Sequence, residues 1–542
     1  MKIPLILATS IASAFAAPVA YDIVVYGGTS GGVIAAKQAA KSGSSVLLIS
    51  QMPYLGGMTS SGLGWSDLGD TAILGGLSRE FYHRIYLHYQ GSGAWDRQTR
   101  ASFGNHGQGA SAFDEEKQIG SVFEPKIAAR IFSEFLKEDR VDVVTGRLDL
   151  KGGVVMDGGM IRLLRLEDGR EFAGKMFVDA TYEGDLLPGA GVTFTVGREA
   201  NERYGESYNG VQTKRAVKNQ LPDGIDPFVT PGNPTSGLLP GVHAGPSAAD
   251  GAGDKELQAF CYRMVLTDVP ANRVAILKPP GYQEADYELL FRAIEAGQKT
   301  NFFKLDLMPN RKTDSNNTGG ISTDFIGRNY GPDWDWTTLN HRERDELAKQ
   351  HELWQRGLVW TLQNHPRVPE AIRAQYSRWG LPADEFVENG NWPWQIYVRE
   401  GRRMVSDFVM TESHCEGKTE VSDPIGLAAY TMDSHHVRRQ VVNGMVKNEG
   451  DVQMKVSKPY GISYRSIIPR RGECGNLLVP WSLSASHIAF GSIRMEPVFM
   501  TLSQSAAIAA HTALKHKCNL QDISYDSLRA ELRKAGIPLG SQ

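Results

Sequence analysis

The chain has 542 residues, 41% hydrophobic and 22% charged, with a net charge of −3. That mix describes a soluble globular protein able to bury a large core, with about three domains at ~100–200 residues each. A near-neutral balance without a long basic run excludes a dedicated nucleic-acid binder. The 58 glycines show no collagen-like period and point to tight turns and close backbone approaches.

The N-terminus stands apart. Lys2, the mostly apolar run from Ile3 to Phe15 and the small-x-small triplet Ala14-Phe15-Ala16 have the form of a secretory signal over residues 1–16. No later segment offers ~18 uninterrupted apolar residues, so an exported protein without a membrane span is expected. Cys261, Cys415, Cys474 and Cys518 lie far apart without CxxC spacing, so a metal site is not expected. Disulfides and small buried thiols both remain open. Asn316-Asn317-Thr318 is a glycosylation sequon if it lies on the surface.

Tyr21 to Tyr26 reads as a buried strand, broken by Gly27-Gly28-Thr29-Ser30-Gly31-Gly32. A small-residue helix follows from Val33, closed near Gly43, and Val46 to Ile49 is the next strand. Strand, glycine turn, helix and strand within about thirty residues form the βαβ unit of a dinucleotide fold. The turn lets backbone approach a pyrophosphate, and the helix N-terminus offers it unpaired N–H groups and a positive dipole. Two positions depart from G-x-G-x-x-G: Tyr26 takes the first glycine slot, and Ser50 stands where a ribose-binding acid is usual. A glycine-rich turn with no ligand is the bland alternative. Further on, Leu55-Gly56-Gly57-Met58 offers a second close backbone approach. Pro125 opens a helix through Leu136, Val141 to Val144 is a short strand, and Asp168-Gly169 turns a hairpin. The chain then returns through Phe177-Val178-Asp179-Ala180-Thr181-Tyr182-Glu183-Gly184-Asp185.

From about residue 200 to 395 strand periodicity weakens. Asn340 to Leu362 is helical, and Pro227 to Gly253 reads as a lid or, more plainly, a long surface connection. In the last third, Arg399, Arg402, Arg403 and Arg465 can clamp a carboxylate or hydroxyl-rich substrate, or form an internal ion-pair network with Glu400. His435, His436 and His487 are candidate bases because imidazole titrates near neutrality; structural hydrogen bonding is the ordinary alternative for each. Lys312, Asp314 and Asn316 form a further polar cluster. Pro497 suits a first helical turn, Ser503 to Ala510 continues a slim helix, and Tyr525 to Gly536 is amphipathic.

Together these motifs resemble the FAD-dependent oxidoreductases of the glutathione-reductase-like superfamily. They are Y-G-G-T-x-x-G, L-G-G-M, D-A-T-Y-E-G-D, Y-V-R-E-x-R-R, D-S-H, P-Y-x-x-x-Y-R and S-H-x-A-F-x-S-x-R-M-E-P, in order over nearly the whole mature chain. The resemblance implies an α/β fold: a Rossmann-like FAD domain drawn from residues 17–200 and 395–520, an inserted α+β substrate or cap domain at 201–394, and a helical tail at 521–542. It implies FAD as cofactor, with Gly28 and Gly31 facing the pyrophosphate and Gly27, Thr29, Ser50 and Val144 in the same cofactor-binding set. Gly56, Gly57 and Met58 run beside the diphosphate or flavin, Thr181 and Asp185 belong to a second cofactor strand, and Arg494 and Glu496 lie near the flavin. Tyr464, Arg403 and Arg465 join the histidines as catalytic candidates. The expected function is oxidation of a small polar molecule (hydroxylated, sugar-like or a natural-product intermediate), with oxygen or a diffusible acceptor taking the electrons. A redox-neutral flavin-assisted isomerase or eliminase, or a non-catalytic flavin-binding protein, is the alternative.

Overall fold

In the computed structural model, residues 19–244, 248–331 and 334–540 are described; the expected signal segment lies outside them. In chain order the N-terminal part holds β1 (Val19–Tyr26), α1 (Ser30–Lys41), β2 (Val46–Ser50), α2 (Gly76–Gln90), α3 (Pro125–Glu138), β3 (Asp142–Thr145), β4 (Val154–Asp157), β5 (Met160–Arg165) and β6 (Glu171–Asp179). The middle adds β7 (Met264–Thr267), β8 (Asp306–Met308), β9 (Lys312–Ser315) and α4 (His341–Asn364). The last third adds β10 (Met432–Ser434), β11 (Leu477–Leu478), α5 (His487–Ile493), α6 (Glu496–His516) and α7 (Tyr525–Lys534).

The central sheet runs β3-β2-β1-β6-β5-β4. Strands β3, β2, β1 and β6 are parallel, with Tyr26 level with Ile49 on one side and Asp179 on the other. The outer edge of β6 is shared: β5 pairs antiparallel with its first residues, and β11 pairs parallel with Phe177 and Val178 near its end. A strand from residue 477 thus completes a sheet begun at residue 19. Ile23 to Tyr26 and Leu47 to Ile49 are wholly buried, as parallel strands covered on both faces must be.

Small residues set how closely α1 packs. A Cβ on Gly32 would overlap the carbonyl oxygen of Gly27, and one on Gly31 would lie 2.5 Å from the Phe499 ring and against Ser503 of α6. The slim helix expected near the C-terminus is therefore the one that lies on α1. Pro125 occupies the first turn of α3, and Asn340 and Glu343 form a capping box at the start of α4. Gly169 takes φ +83° at the β5–β6 turn, and Leu528 and Leu532 bury the apolar face of α7.

The middle contains more sheet than its periodicity suggests. Strands β7, β9 and β8 form an antiparallel sheet, and all four residues of β9, Lys312-Thr313-Asp314-Ser315, are buried. No hydrophobic alternation marks this strand because its polar side chains are paired inside the protein. Within Pro227 to Gly253, Val242–His243 pairs with Arg439–Gln440, which ties part of that stretch to the body. All four cysteines are free thiols. Among the described residues no helix is long and apolar enough to cross a membrane.

Candidate active site

A cavity of about 430 Å³ lies at the carboxyl ends of the parallel strands, the position where open α/β sheets bind ligands. Gln51 to Pro53 after β2, Arg147 after β3 and Glu183 after β6 form one side; Trp336, His341 and Arg344 face them. The Gln51 amide donates to the Tyr26 hydroxyl (3.2 Å) and Asp185 Oδ2 (3.4 Å). Asp185 is held by both Arg344 Nη atoms (2.9 Å each) and by Arg402 Nη1 (3.0 Å). Burial opposes its charge, yet these two guanidinium groups keep the carboxyl below the usual range. Burial and neighbouring Asp185 push Glu183 up. The indole N–H groups of Trp336 and Trp392, both in the cavity wall, are buried with no partner among the described residues. A larger groove of about 810 Å³ among α1, α2, α6 and α7 contains none of the strand-end residues.

Glu496, at the start of α6, joins three distant segments. Its carboxylate accepts from Ser30 Oγ (2.5 Å) at the α1 N-terminus, Thr59 Oγ1 (2.7 Å) and the Tyr182 hydroxyl (2.8 Å). Tyr182 in turn accepts from the Met58 N–H at 2.9 Å. Gly57, at φ +54°, leaves room for the Tyr182 hydroxyl that any Cβ would strike. Burial pushes the Glu496 carboxyl up, and its three hydroxyl donors pull it back.

A second cavity, of about 420 Å³, has walls from all parts of the chain. Asp67 comes from the loop after β2, Arg263, Lys304 and Asn316 from the middle, and Tyr397, His435 and Met495 from the last third. His435 Nδ1 lies 2.9 Å from Asp324 Oδ2 and Nε2 lies 3.1 Å from Asp433 Oδ2. Arg399 pairs with Asp324 at 2.8 Å, and Arg494 donates to Asp433 Oδ2 (3.2 Å) and to the Tyr397 hydroxyl (2.9 Å). Burial alone would raise Asp433; His435 and Arg494 outweigh it and hold that carboxyl at about 2. Arg263 grips Asp314 through Nε (3.0 Å) and Nη2 (2.7 Å) and reaches Asp67 at 3.5 Å.

The family described as FAD dependent oxidoreductase matches residues 22–532. The chain belongs to this family. It is an FAD-dependent oxidoreductase, and its cofactor is FAD. No curated protein sequence matches it. Solved structures with a similar stretch include L-proline dehydrogenase from P. horikoshii, 17% identical over 34% of this chain and 59% of that one, at a TM-score of 0.24. L-amino acid deaminase from Proteus vulgaris is 15% identical over 34% and 54%, at 0.23. The 3-ketosteroid-delta4-(5alpha)-dehydrogenase from Rhodococcus jostii RHA1 is 14% identical over 39% and 63%, at 0.23. The chain spans less than two thirds of the length of each.

Within this FAD-dependent oxidoreductase the catalytic candidates separate sharply. Only His435 among them lines the second cavity, and both its ring nitrogens are occupied by carboxylates, so neither is open to a substrate. His487 is buried, with Nδ1 2.9 Å from Glu400 and Nε2 2.9 Å from Ser434 Oγ. Arg403 is fully buried between Glu199 (2.8 Å) and Glu400 (2.9 Å), and the Tyr464 hydroxyl is given to the Leu520 carbonyl at 2.9 Å. Arg465 pairs with Asp423 at 3.0 Å on a half-exposed flank. These four hold the fold rather than face a substrate. Asn316 is 4% exposed, in the cavity wall, so its side chain is not on the surface as glycosylation requires.

The cofactor candidates sit differently. Gly27, Gly28 and Thr29 form the β1–α1 turn and Gly31 lies in the first turn of α1, with Thr29 Oγ1 donating to Ala180 O (2.8 Å) and accepting from Gly32 N (3.1 Å). Val144 lies beside Ile49 on β3, and Ser50 turns its hydroxyl to Met52 O at 2.7 Å. Thr181 Oγ1 donates to Asp179 (2.6 Å). Asp185 departs from expectation as a ligand-binding group because two arginines occupy its oxygens. Sequence reasoning missed Asp67, Asp324 and Arg344, whose partners Arg263, His435 and Asp185 lie 111 or more residues away. No local motif marks such pairs.

His436 follows a different logic. Its Nε2 donates to Asn219 O at 3.0 Å, Nδ1 is buried with no partner among the described residues, and burial lowers its pKa to about 4. A folded pKa below the unfolded ~6.5 stabilises the protein above pH ~6.5, and that contribution is lost as pH falls toward 4. The full effect is on the order of 3 kcal/mol. Thermal midpoints measured from pH 7 to pH 4 should therefore fall less for His436→Asn than for the parent chain; equal falls would reject the assignment.

Proposed function

We propose that the enzyme oxidises a small hydroxylated molecule — a polyol, a sugar-like compound or a natural-product intermediate — held in the second cavity. The observation that carries this reading is the wall of that cavity: Asp67, Arg263, Lys304, Asn316, Tyr397 and His435 leave little apolar surface in about 420 Å³. Such a wall recognises hydroxyl groups through charge-assisted hydrogen bonds, and its volume suits a small ligand.

The strand-end cavity fits FAD. Two indole N–H groups in its wall, those of Trp336 and Trp392, have no partner among the described residues and await acceptors, whereas its cations Arg147, Arg344 and Lys349 are paired with Asp345, Asp185 and Glu352. Gly28 and Gly31 would approach the diphosphate at the α1 N-terminus, and Met58, Arg494 and the opening of α6 would lie toward the flavin. Bound there, FAD supplies a two-electron acceptor for a substrate hydride. The division into an FAD domain (17–200 and 395–520) and a cap (201–394) accords with a substrate cavity whose walls come from both. Oxygen or a diffusible acceptor would complete the cycle. Export rests on the N-terminal apolar segment alone, and N-terminal sequencing of secreted material should begin after Ala16.

The test is anaerobic. Glycerol, xylitol, glucose and lactate are added in turn to the purified flavoprotein, with absorbance followed near 450 nm. At least one should bleach the flavin, and air should restore it. A flavin that stays oxidised with every hydroxylated compound rejects the proposal.

A further inference from the structure

We infer that Asp67 is the catalytic residue that takes the substrate's hydroxyl proton; this rests on the alcohol-oxidation reading above. The other carboxylate and the imidazole in the cavity wall, Asp433 and His435, are committed. His435 faces Asp324 and Asp433 through its two nitrogens. Asp433 receives His435 and Arg494, and the Tyr397 oxygen receives Arg494. Asp67 is different. Its side chain is 11% exposed, and among the described residues its one hydrogen-bond donor is Arg263 Nη1, at 3.5 Å. Arg263 spends its shorter contacts, 2.7 and 3.0 Å, on Asp314.

A carboxylate so nearly buried ordinarily gathers several close donors. Asp67 keeps open lone pairs in a cavity shaped for a polar ligand, and a substrate hydroxyl is the donor that fits them. The loop cannot easily swing away to find another. Ser66 N–H donates to Ser121 O at 3.1 Å, Leu68 N–H to Ser66 O at 3.0 Å, and Gly69, at φ +70°, lies against the Ala429 backbone where no Cβ fits.

The step balances. The O–H bond breaks and its proton passes to an Asp67 oxygen, while the O–H electron pair becomes the second bond of the product carbonyl. The C–H hydrogen leaves with its electron pair to the flavin, so the substrate is oxidised and the cofactor reduced by two electrons. After product departs, Asp67 returns its proton to solvent.

The test is Asp67→Asn in the holoenzyme, which keeps the shape and removes the charge. Flavin content should be unchanged and the thermal midpoint should rise, because a poorly satisfied buried charge has gone. A structural partner of Arg263 would instead lower the midpoint when replaced. With whichever of glycerol, xylitol, glucose and lactate reduces the parent flavin, reduction at saturation should slow ~10²–10⁴-fold. A lowered midpoint, or reduction at the parent rate, overturns the assignment. If none of the four reduces the parent flavin, the alcohol reading fails separately, and the midpoint still decides whether Asp67 is an unsatisfied carboxylate.

Discussion

Gly31→Val is expected to leave the protein nearly free of FAD. The Cβ alone would lie 2.5 Å from two atoms of the Phe499 ring and overlap Ser503 Oγ, and valine adds two methyl groups beyond it. Neither helix can yield cheaply. On its other side α1 is held by the contact of Gly32 with the Gly27 carbonyl, and at its N-terminus by Ser30 on Glu496. Overpacking of this kind costs about 1–3 kcal/mol or more. The displacement falls on the turn proposed to approach the diphosphate, so occupancy should drop further than stability. The ratio of flavin to protein absorbance reads the first and the thermal midpoint of the flavin-free protein reads the second. Gly93→Ala, where a Cβ meets nothing within 4 Å, serves as control. Gly31→Ala combined with Phe499→Leu should regain flavin relative to Gly31→Ala alone. Full flavin occupancy in Gly31→Val would show that the contact between α1 and α6 does not set the cofactor turn.

The sheet was legible because the βαβ unit is local. Buried strands, a glycine turn and a small-residue helix follow one another between Tyr21 and Ile49, and the chain's own spacing brings them together. The hairpin at Asp168-Gly169 was legible for the same reason. The second cavity was not. His435 reads as a free imidazole until Asp324, 111 residues earlier, is placed on its Nδ1. Arg403 and Arg465 read alike as guanidinium groups, yet one is enclosed by two glutamates and the other lies half-exposed beside Asp423. Residue type states what a side chain can do; its partners, contributed by remote segments, decide whether it is free to do it. Strand β9 was hidden for a related reason. All four of its residues are buried, and buried charge at Lys312 and Asp314 breaks the hydrophobic alternation by which strands are recognised.

That strand carries the second large expectation: Lys312→Met should destabilise the protein by about 3–5 kcal/mol. Lys312 is fully buried, and its ammonium lies 2.8 Å from Glu124, 2.8 Å from Asp384 and 2.6 Å from Glu385. Burial disfavours its charge, but the three carboxylates outweigh it and hold the lysine well above its usual range. The carboxylates are close enough together to enclose a cation, and in this protein the cation is the lysine. Methionine matches the volume and removes the charge. Asp384 keeps Lys126, and Glu124 keeps Lys126 (3.4 Å), Tyr89 and Asn310, but Glu385 is left with the Lys126 backbone N–H. Burial already holds the Glu385 carboxyl above its usual range against the pull of Lys312, and losing the ammonium should push it higher, so the folded variant binds extra protons. Its stability deficit is therefore expected to be smaller at pH 5 and to grow as pH rises toward 8. Adding Glu385→Gln to Lys312→Met should recover part of the loss, whereas Glu385→Gln alone should be destabilising; the non-additivity measures the pairing. Denaturant unfolding at both pH values reads all four chains. The consequence for chemistry follows from continuity along β9. Two residues beyond Lys312 is Asp314, which grips Arg263, and two further is Asn316 in the cavity wall. Loosening the lysine end of this strand should weaken substrate binding before it slows flavin reduction at saturation. A loss below ~1 kcal/mol, far short of what breaking a buried ion pair costs, would show that the ammonium is not what neutralises the three acids.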